Sequence, residues 1–158
     1  MYERIIVPLD GSKVGEAALP YVGELVSKLS PEIKVEVTLL QVVSSLTRYV
    51  IAGEASAQIP YTDKEMEQIK KKARDYLNKA SEGLRGKKAM VKIKVAVGKA
   101  DEEIIKAADE IHADLIAMST HGRSGISRWA FGSVTDRVLQ GAKVPILLVR
   151  MREEAEKT

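Results

Sequence analysis

The sequence predicts an α/β fold, a parallel sheet covered on both faces by helices, and three observations carry that reading. Short apolar runs alternate with amphipathic stretches in five successive βα-type units. The run LIAMS (Leu115 to Ser119) is apolar almost throughout, as a central strand buried on both faces must be. Its 45% hydrophobic and 30% charged residues match a globular domain, not a disordered or fibrous chain. At 158 residues one domain is expected, spanning 1–150, with MREEAEKT (151–158) as a fraying tail.

The first run, RIIVPL (Arg4 to Leu9), is β-branched and stops at Asp10-Gly11-Ser12, a turn and helix-start signal. Pro8 has no amide to donate, so it belongs where a ladder is ending. From Lys13 to Leu29 the residues Ala17, Ala18, Tyr21, Val22, Leu25, Val26 and Leu29 form one helical stripe. Pro20 interrupts it and predicts a kink or a late helix start.

The second strand is VEVTLLQVV (Val35 to Val43). Ser44 to Thr62 then shows turn residues without a sustained period and is expected to be a long irregular loop, a candidate lid. Met66, Ile69, Ala73, Tyr76, Leu77, Ala80 and Leu84 mark the next helix. MVKIKVAV (Met90 to Val97) alternates apolar residues with Lys92 and Lys94, which suits a half-exposed strand at a sheet edge. Ala100 to Ile111 is a helix with Asp101, Glu102 and Glu103 in its first turn, and His112 lies at its end. LIAMS follows, then a helix from about Ser133 to Gln140 stopped by Gly141, and finally ILLV (Ile146 to Val149) introduced by Pro145.

Composition excludes several chemistries. With no cysteine there is no disulfide, thiolate nucleophile or cysteine metal site. The two histidines, His112 and His121, are not at the i, i+4 spacing of a helical zinc pair. No apolar run approaches the roughly 20 residues of a membrane span, and MYERIIVPLD has no basic stretch leading into an apolar one, so a cytoplasmic protein is expected. Lys64 to Lys99 holds 12 basic and 4 acidic residues. With 4% aromatic residues there are few platforms for bases, so the Lys70-Lys71-Lys72 run reads as a solvated helix face and no nucleic-acid partner is expected.

Ligands of a doubly wound sheet bind at the carboxyl ends of its strands, where strand order reverses. That selects the turns after the first and fourth strands. After the fourth comes Ser119-Thr120-His121-Gly122-Arg123-Ser124-Gly125, and Gly132-Ser133 opens the following helix with free N–H groups suited to phosphate. After the first, Asp10 offers an acceptor for a ribose or a base edge. No G-x-G-x-x-G follows a strand and no GxxxxGK[ST] occurs, so neither a dinucleotide turn nor a P-loop is present.

The stretch ADLIAMSTHGRSGISRWAFGSVTDRVLQGAKVPILLV (Ala113 to Val149) closely resembles the end of universal stress protein domains, and RIIVPLDGS with VTLLQVV resembles their first two strands. The resemblance implies a Rossmann-like three-layer sandwich, a five-stranded parallel sheet in order 3-2-1-4-5, and a homodimer formed through the last strand, Ile146 to Val149. It also implies ATP binding in one branch, whose pattern is G-x2-G-x9-G-[ST]. Gly122, Gly132 and Ser133 match that pattern, while Ser119 holds the first glycine position, where a serine disfavours any positive φ. By resemblance Asp10, Val42 and Met118 fall where the family holds adenine and ribose. Ser119, Gly122, Arg123, Ser124, Gly125, Gly132 and Ser133 fall around the phosphates. Mg²⁺ would come with the nucleotide phosphates.

Blander readings stand beside these. Asp10 and Ser133 can be turn and cap residues, His121 a solvent-facing loop residue, and Trp129 and Phe131 packing residues. The resemblance implies a nucleotide-dependent regulatory switch acting on a protein partner. A nucleotide-free scaffold and a slow ATP hydrolase using the same pocket are the alternatives, although no water-activating carboxylate or P-loop lysine is evident. A phosphoacceptor domain is disfavoured, because Asp10 has no acidic neighbour in its turn.

Overall fold

A computed structural model describes residues 2–44, 47–122 and 132–152. The elements in chain order are β1 (Arg4–Leu9), a 3-10 helix (Gly15–Ala18), α1 (Leu19–Lys28), β2 (Val35–Val43), β3 (Thr47–Ala52), β4 (Ala55–Pro60), α2 (Asp63–Arg85), β5 (Ala89–Val97), α3 (Ala100–Glu110), β6 (Leu115–Gly122), α4 (Ser133–Gly141) and β7 (Ile146–Arg152).

Five strands form one sheet in the order β5-β2-β1-β6-β7, every pair parallel. Counting the parallel strands alone this is the 3-2-1-4-5 order; β3 and β4 belong to a separate sheet and shift the numbering. Side-chain alternation divides the core into two layers. Ile5, Val7, Leu9, Val37 and Leu39 pack with Val22 and Val26 of α1 and Leu77 and Leu84 of α2. Ile6, Leu40, Ile116 and Met118 pack on the other face with Ile104 and Ala108 of α3 and Val138 of α4. Ile5, Ile6, Leu39, Leu77 and Ile116 are fully buried. Among the described residues no helix is long and apolar enough to cross a membrane.

Local chemistry explains most boundaries. Pro20 sits in the first turn of α1, where its missing N–H costs nothing, so the helix proper starts late and Gly15–Ala18 takes the tighter 3-10 form. Thr62 caps α2, its hydroxyl accepting from the Glu65 amide at 3.2 Å. His112 takes φ +52 just beyond α3, and the bonds His112 N–H to Asp109 C=O and Ala113 N–H to Ala108 C=O close a Schellman turn around it. At the start of the sheet, Asp114 accepts from the Glu3 and Arg4 amides at 3.1 and 2.9 Å and joins the entry of β6 to that of β1.

The structure corrects three expectations. The segment from Ser44 to Thr62 is not irregular: Thr47–Ala52 and Ala55–Pro60 form an antiparallel hairpin turned at Gly53-Glu54, with β4 exposed along its whole length. Side chains exposed on both faces bury no apolar stripe, which leaves little period-2 contrast to read. The strand after Ala113 does not stop at Ser119 but runs to Gly122, held by β7, which pairs Gly122 with Arg152. For the same reason Met151 and Arg152, expected in a fraying tail, continue β7. The edge position of β5 agrees with its lysines, and Lys92 pairs with Glu36 of β2 at 2.8 Å.

Candidate functional site

The sheet opens where its strand order reverses, between β1 and β6. Their register pairs Ile5 with Leu115 and Ile6 with Ile116 and then ends, while β1 stays paired with β2 as far as Leu9 and Gln41. Arg4 directs its backbone to Asp114 and Glu3 accepts from Glu36, so by ladder alternation the nitrogen of Pro8 faces β6. It has no hydrogen to donate, and the ladder stops there. Beyond the last pair lies a cleft of about 170 Å³. Leu40, Val42, Ile104, Met118 and Val134 give it apolar lining, and Asp10, Ser119 and Thr135 add polar side chains beside Gly15.

The turn after β1 forms one wall. Asp10 Oδ1 accepts from the Ser12 amide at 2.9 Å and from the Ser12 hydroxyl at 2.5 Å. Gly11 adopts φ +85, which favours glycine, and a Cβ on Gly15 would lie 2.6 Å from Asp10 Oδ1, so a side chain there would push the carboxylate aside. Thus Asp10 both shapes its own turn and lines the cleft; the two readings of this residue are compatible.

Ser119 closes the crevice floor. Its hydroxyl donates to the Gly15 carbonyl at 3.0 Å and accepts from the Ala18 amide at 2.8 Å. It lies within β6, and among the described residues positive φ outside glycine occurs only at Lys88 and His112. The anticipated penalty for a serine at this place therefore does not arise. The position is a strand residue, not the left-handed corner of a turn.

The N-terminus of α4 forms the opposite wall. Gly132 precedes the helix with φ −59 and ψ 152, accepts the first helical bond from Asp136, and supplies no side-chain cap. The amides of Ser133, Val134 and Thr135 have no place in the helical ladder, and their partial positive charge favours an anion. Among the described residues a Cβ added at Gly132 would meet nothing within 4 Å. Asp101 of α3 lies 3.8 Å from Arg137 of α4, across the helix pair that carries this wall.

Asp10, Val42, Met118 and Ser119 thus line one cleft, as their positions in the sequence suggest. Gly132 and Ser133 open the helix whose next two residues also line it. Gly122 is placed at the end of β6, three residues past the cleft floor. Arg123, Ser124 and Gly125, like Trp129 and Phe131, lie outside the described residues. Gly15, Ile104 and Thr135 were missed. Gly15 could have been found from the spacing D-G-S-x-x-G, which brings a small residue back against the aspartate. On the other side of the Asp10 turn Tyr76 packs in the first core layer, and burial, then the negative charges of Glu16 and Asp10, push its phenol up to about 12.

Comparison with known proteins agrees with this architecture. The chain is 29% identical to universal stress protein MJ0577 of Methanocaldococcus jannaschii, over 96% of this chain and 97% of that protein. A solved structure of MJ0577 superposes with a TM-score of 0.72 at 25% identity, covering 97% of this chain and 99% of the other. A universal stress protein in complex with cAMP superposes with a TM-score of 0.66 at 19% identity, covering 94% and 97% of the two chains. One from Archaeoglobus fulgidus in complex with dAMP gives 0.62 at 20% identity, covering 94% and 98%. The model of the universal stress protein family matches residues 1–150, and the chain belongs to that family.

Proposed function

We propose that the cleft binds an adenine nucleotide, ATP in particular, and that the chain acts as a nucleotide-dependent regulatory switch in a stress response. The observation that carries this is the meeting, at one crevice, of an apolar slot with the uncapped N-terminus of α4. The cleft of about 170 Å³ suits a base or a ribose more than a whole triphosphate, since complete small-molecule sites run to roughly 300–1,000 Å³. In this reading Val42 and Met118 flank the base and Asp10 accepts from a ribose or base edge. The phosphates run along Ser133 toward Gly122 and Arg123 to Gly125. Two family relatives solved with cAMP and dAMP support an adenine nucleotide as the ligand class.

Asp10 is the one carboxylate among the described residues lining the cleft, and no group of three His, Asp or Glu among the described residues could hold a metal. Mg²⁺ would accordingly arrive on the phosphates. A ligand switches a protein only by binding one state better, so nucleotide occupancy would act by changing affinity for a regulatory protein partner.

The homodimer belongs to the same proposal. β7 is a sheet edge, and beside its first residues lies an apolar groove lined by Tyr2, Tyr21, Leu25, Pro145, Ile146 and Leu147. Tyr21 is 55% exposed, a large ring for a monomer to leave in water. Equilibrium dialysis of nucleotide-stripped protein against ATP, AMP and cAMP, with Asp10→Ala beside the parent, tests the nucleotide reading. Saturable uptake weakened by the substitution supports it, and uptake indifferent to Asp10 refutes the assignment of that residue.

A further inference from the structure

The β3–β4 hairpin has two faces of different composition. Residues alternate between faces along each strand, and the register pairs Arg48 with Ile59, Val50 with Ala57 and Ala52 with Ala55. These positions share one face, which is apolar everywhere except at Arg48. The other face takes Thr47, Tyr49, Ile51, Ser56, Gln58 and Pro60 and is mixed. Ala52, Ala55, Ala57 and Ile59 are exposed, Ile59 to 40%, and among the described residues no further strand pairs with the hairpin. A sheet face of this composition is ordinarily packed against a second layer.

The order of residues along that face selects its occupant. Arg48 and Ile59 stand at the base of the hairpin, Ala52 and Ala55 at its tip, and Glu54 in the turn beyond. The base is therefore bulky and cationic, the tip small and anionic. About five strand steps, roughly 17 Å, separate Arg48 from the turn, too far for these charges to meet within one hairpin. We propose that this face is a self-association surface, occupied by the same face of a second copy of the chain in antiparallel, twofold orientation. Base then lies on tip at both ends: Ile59 of each copy fills the space left by the small residues of the other, each positive end meets a negative one, and the Val50–Ala57 pair lies on the twofold axis. A parallel arrangement would set like charges together. The face is about 20 Å by 10 Å, so two copies bury well under the ~1,000 Å² of a stable interface. The contact is accordingly weak, with a Kd on the order of 100 µM, and the hairpins separate in dilute solution. This surface is separate from the cleft and from the β7 edge and depends on neither reading.

The experiment is sedimentation velocity of the full chain from micromolar to millimolar concentration, beside Ala57→Lys, Ser56→Lys, Glu54→Arg and the double variant Arg48→Glu/Glu54→Arg. The parent is expected to pass reversibly into a species of at least twice the mass. Ala57→Lys sets two like charges at the centre of the contact and should weaken this step about tenfold or more. Ser56→Lys, one residue away on the opposite face, should leave it unchanged. Glu54→Arg should weaken it about three- to tenfold, two exposed ion pairs being lost, and the charge exchange in the double variant should restore it. A parent of constant mass up to millimolar concentration overturns the proposal, as does association indifferent to Ala57→Lys or equally impaired by Ser56→Lys. A double variant as weak as Glu54→Arg overturns the antiparallel orientation and with it the proposed occupant.

Discussion

Ser119 donates its hydroxyl to the carbonyl of Gly15 at 3.0 Å, across a sequence separation of 104 residues. With the Ala18 amide bonded to the same oxygen, the end of β6 is tied to the 3-10 helix that follows β1. Those two elements border the crevice, so the side chain at the family pattern's first glycine position is a clasp and not a defect.

Removing the clasp should be measurable. Ser119→Ala leaves a part-buried amide and carbonyl unpaired and is expected to destabilise the fold by about 1–2 kcal/mol. Ser119→Gly adds the entropy of a glycine within a strand and should cost about 0.5–1 kcal/mol more. Urea unfolding checks both; a Ser119→Gly variant as stable as the parent would show that the clasp contributes nothing.

Gly15, which lines the cleft, and Gly132, which precedes the helix bordering it, should respond oppositely. At Gly15 a Cβ meets Asp10 Oδ1 at 2.6 Å, so Gly15→Ala should displace the carboxylate, lose about 1–3 kcal/mol of stability and weaken nucleotide binding. At Gly132 no described atom lies within 4 Å of an added Cβ, so Gly132→Val should fold as the parent does and lose binding alone. Parallel unfolding and binding curves separate the cases.

Tyr76 predicts a stability change in alkali. Its folded pKa of about 12 lies above the ordinary value of 10.0, so between these limits the unfolded chain loses the phenolic proton while the folded chain keeps it. The stability contributed by this group is complete below pH 10 and is lost as the pH rises through 12. Tyr76→Phe should flatten that slope, which denaturant titrations across the alkaline range will show.

Among the described residues the β3–β4 hairpin pairs only with itself, and β4 is exposed throughout. Isolated hairpins are marginally stable, so amides of 47–60 should exchange with solvent far faster than those of Val35–Val43 in the sheet interior. Exchange followed by mass spectrometry gives the comparison, and equal protection would mean that the hairpin is covered in solution.

What could be read from sequence follows the strength of burial contrast. The five sheet strands and four α-helices each bury one face or two, so their periods are clear; Leu77 and Leu84 of α2 mark its buried stripe against exposed Lys71 and Lys72. β4 buries neither face and left no period. Strand ends were misplaced at Ser119 and Val149 because the extra pairs, Thr120 with Arg150 through Gly122 with Arg152, are made by backbone atoms that any side chain permits. At the site, Asp10 and Gly132 were legible as turn and helix-start residues. Gly15 and the Ser119 clasp were not, since they depend on a contact between segments about 100 residues apart.

The central claim is that this crevice binds nucleotide between the Asp10 turn and the start of α4. Calorimetric titration of nucleotide-stripped protein with Mg-ATP, beside Gly132→Val, tests it most directly. The account predicts saturable binding of one nucleotide per chain, lost in a variant whose unfolding curve matches the parent's. No heat at millimolar ATP, or equal binding by the folded Gly132→Val protein, would contradict it.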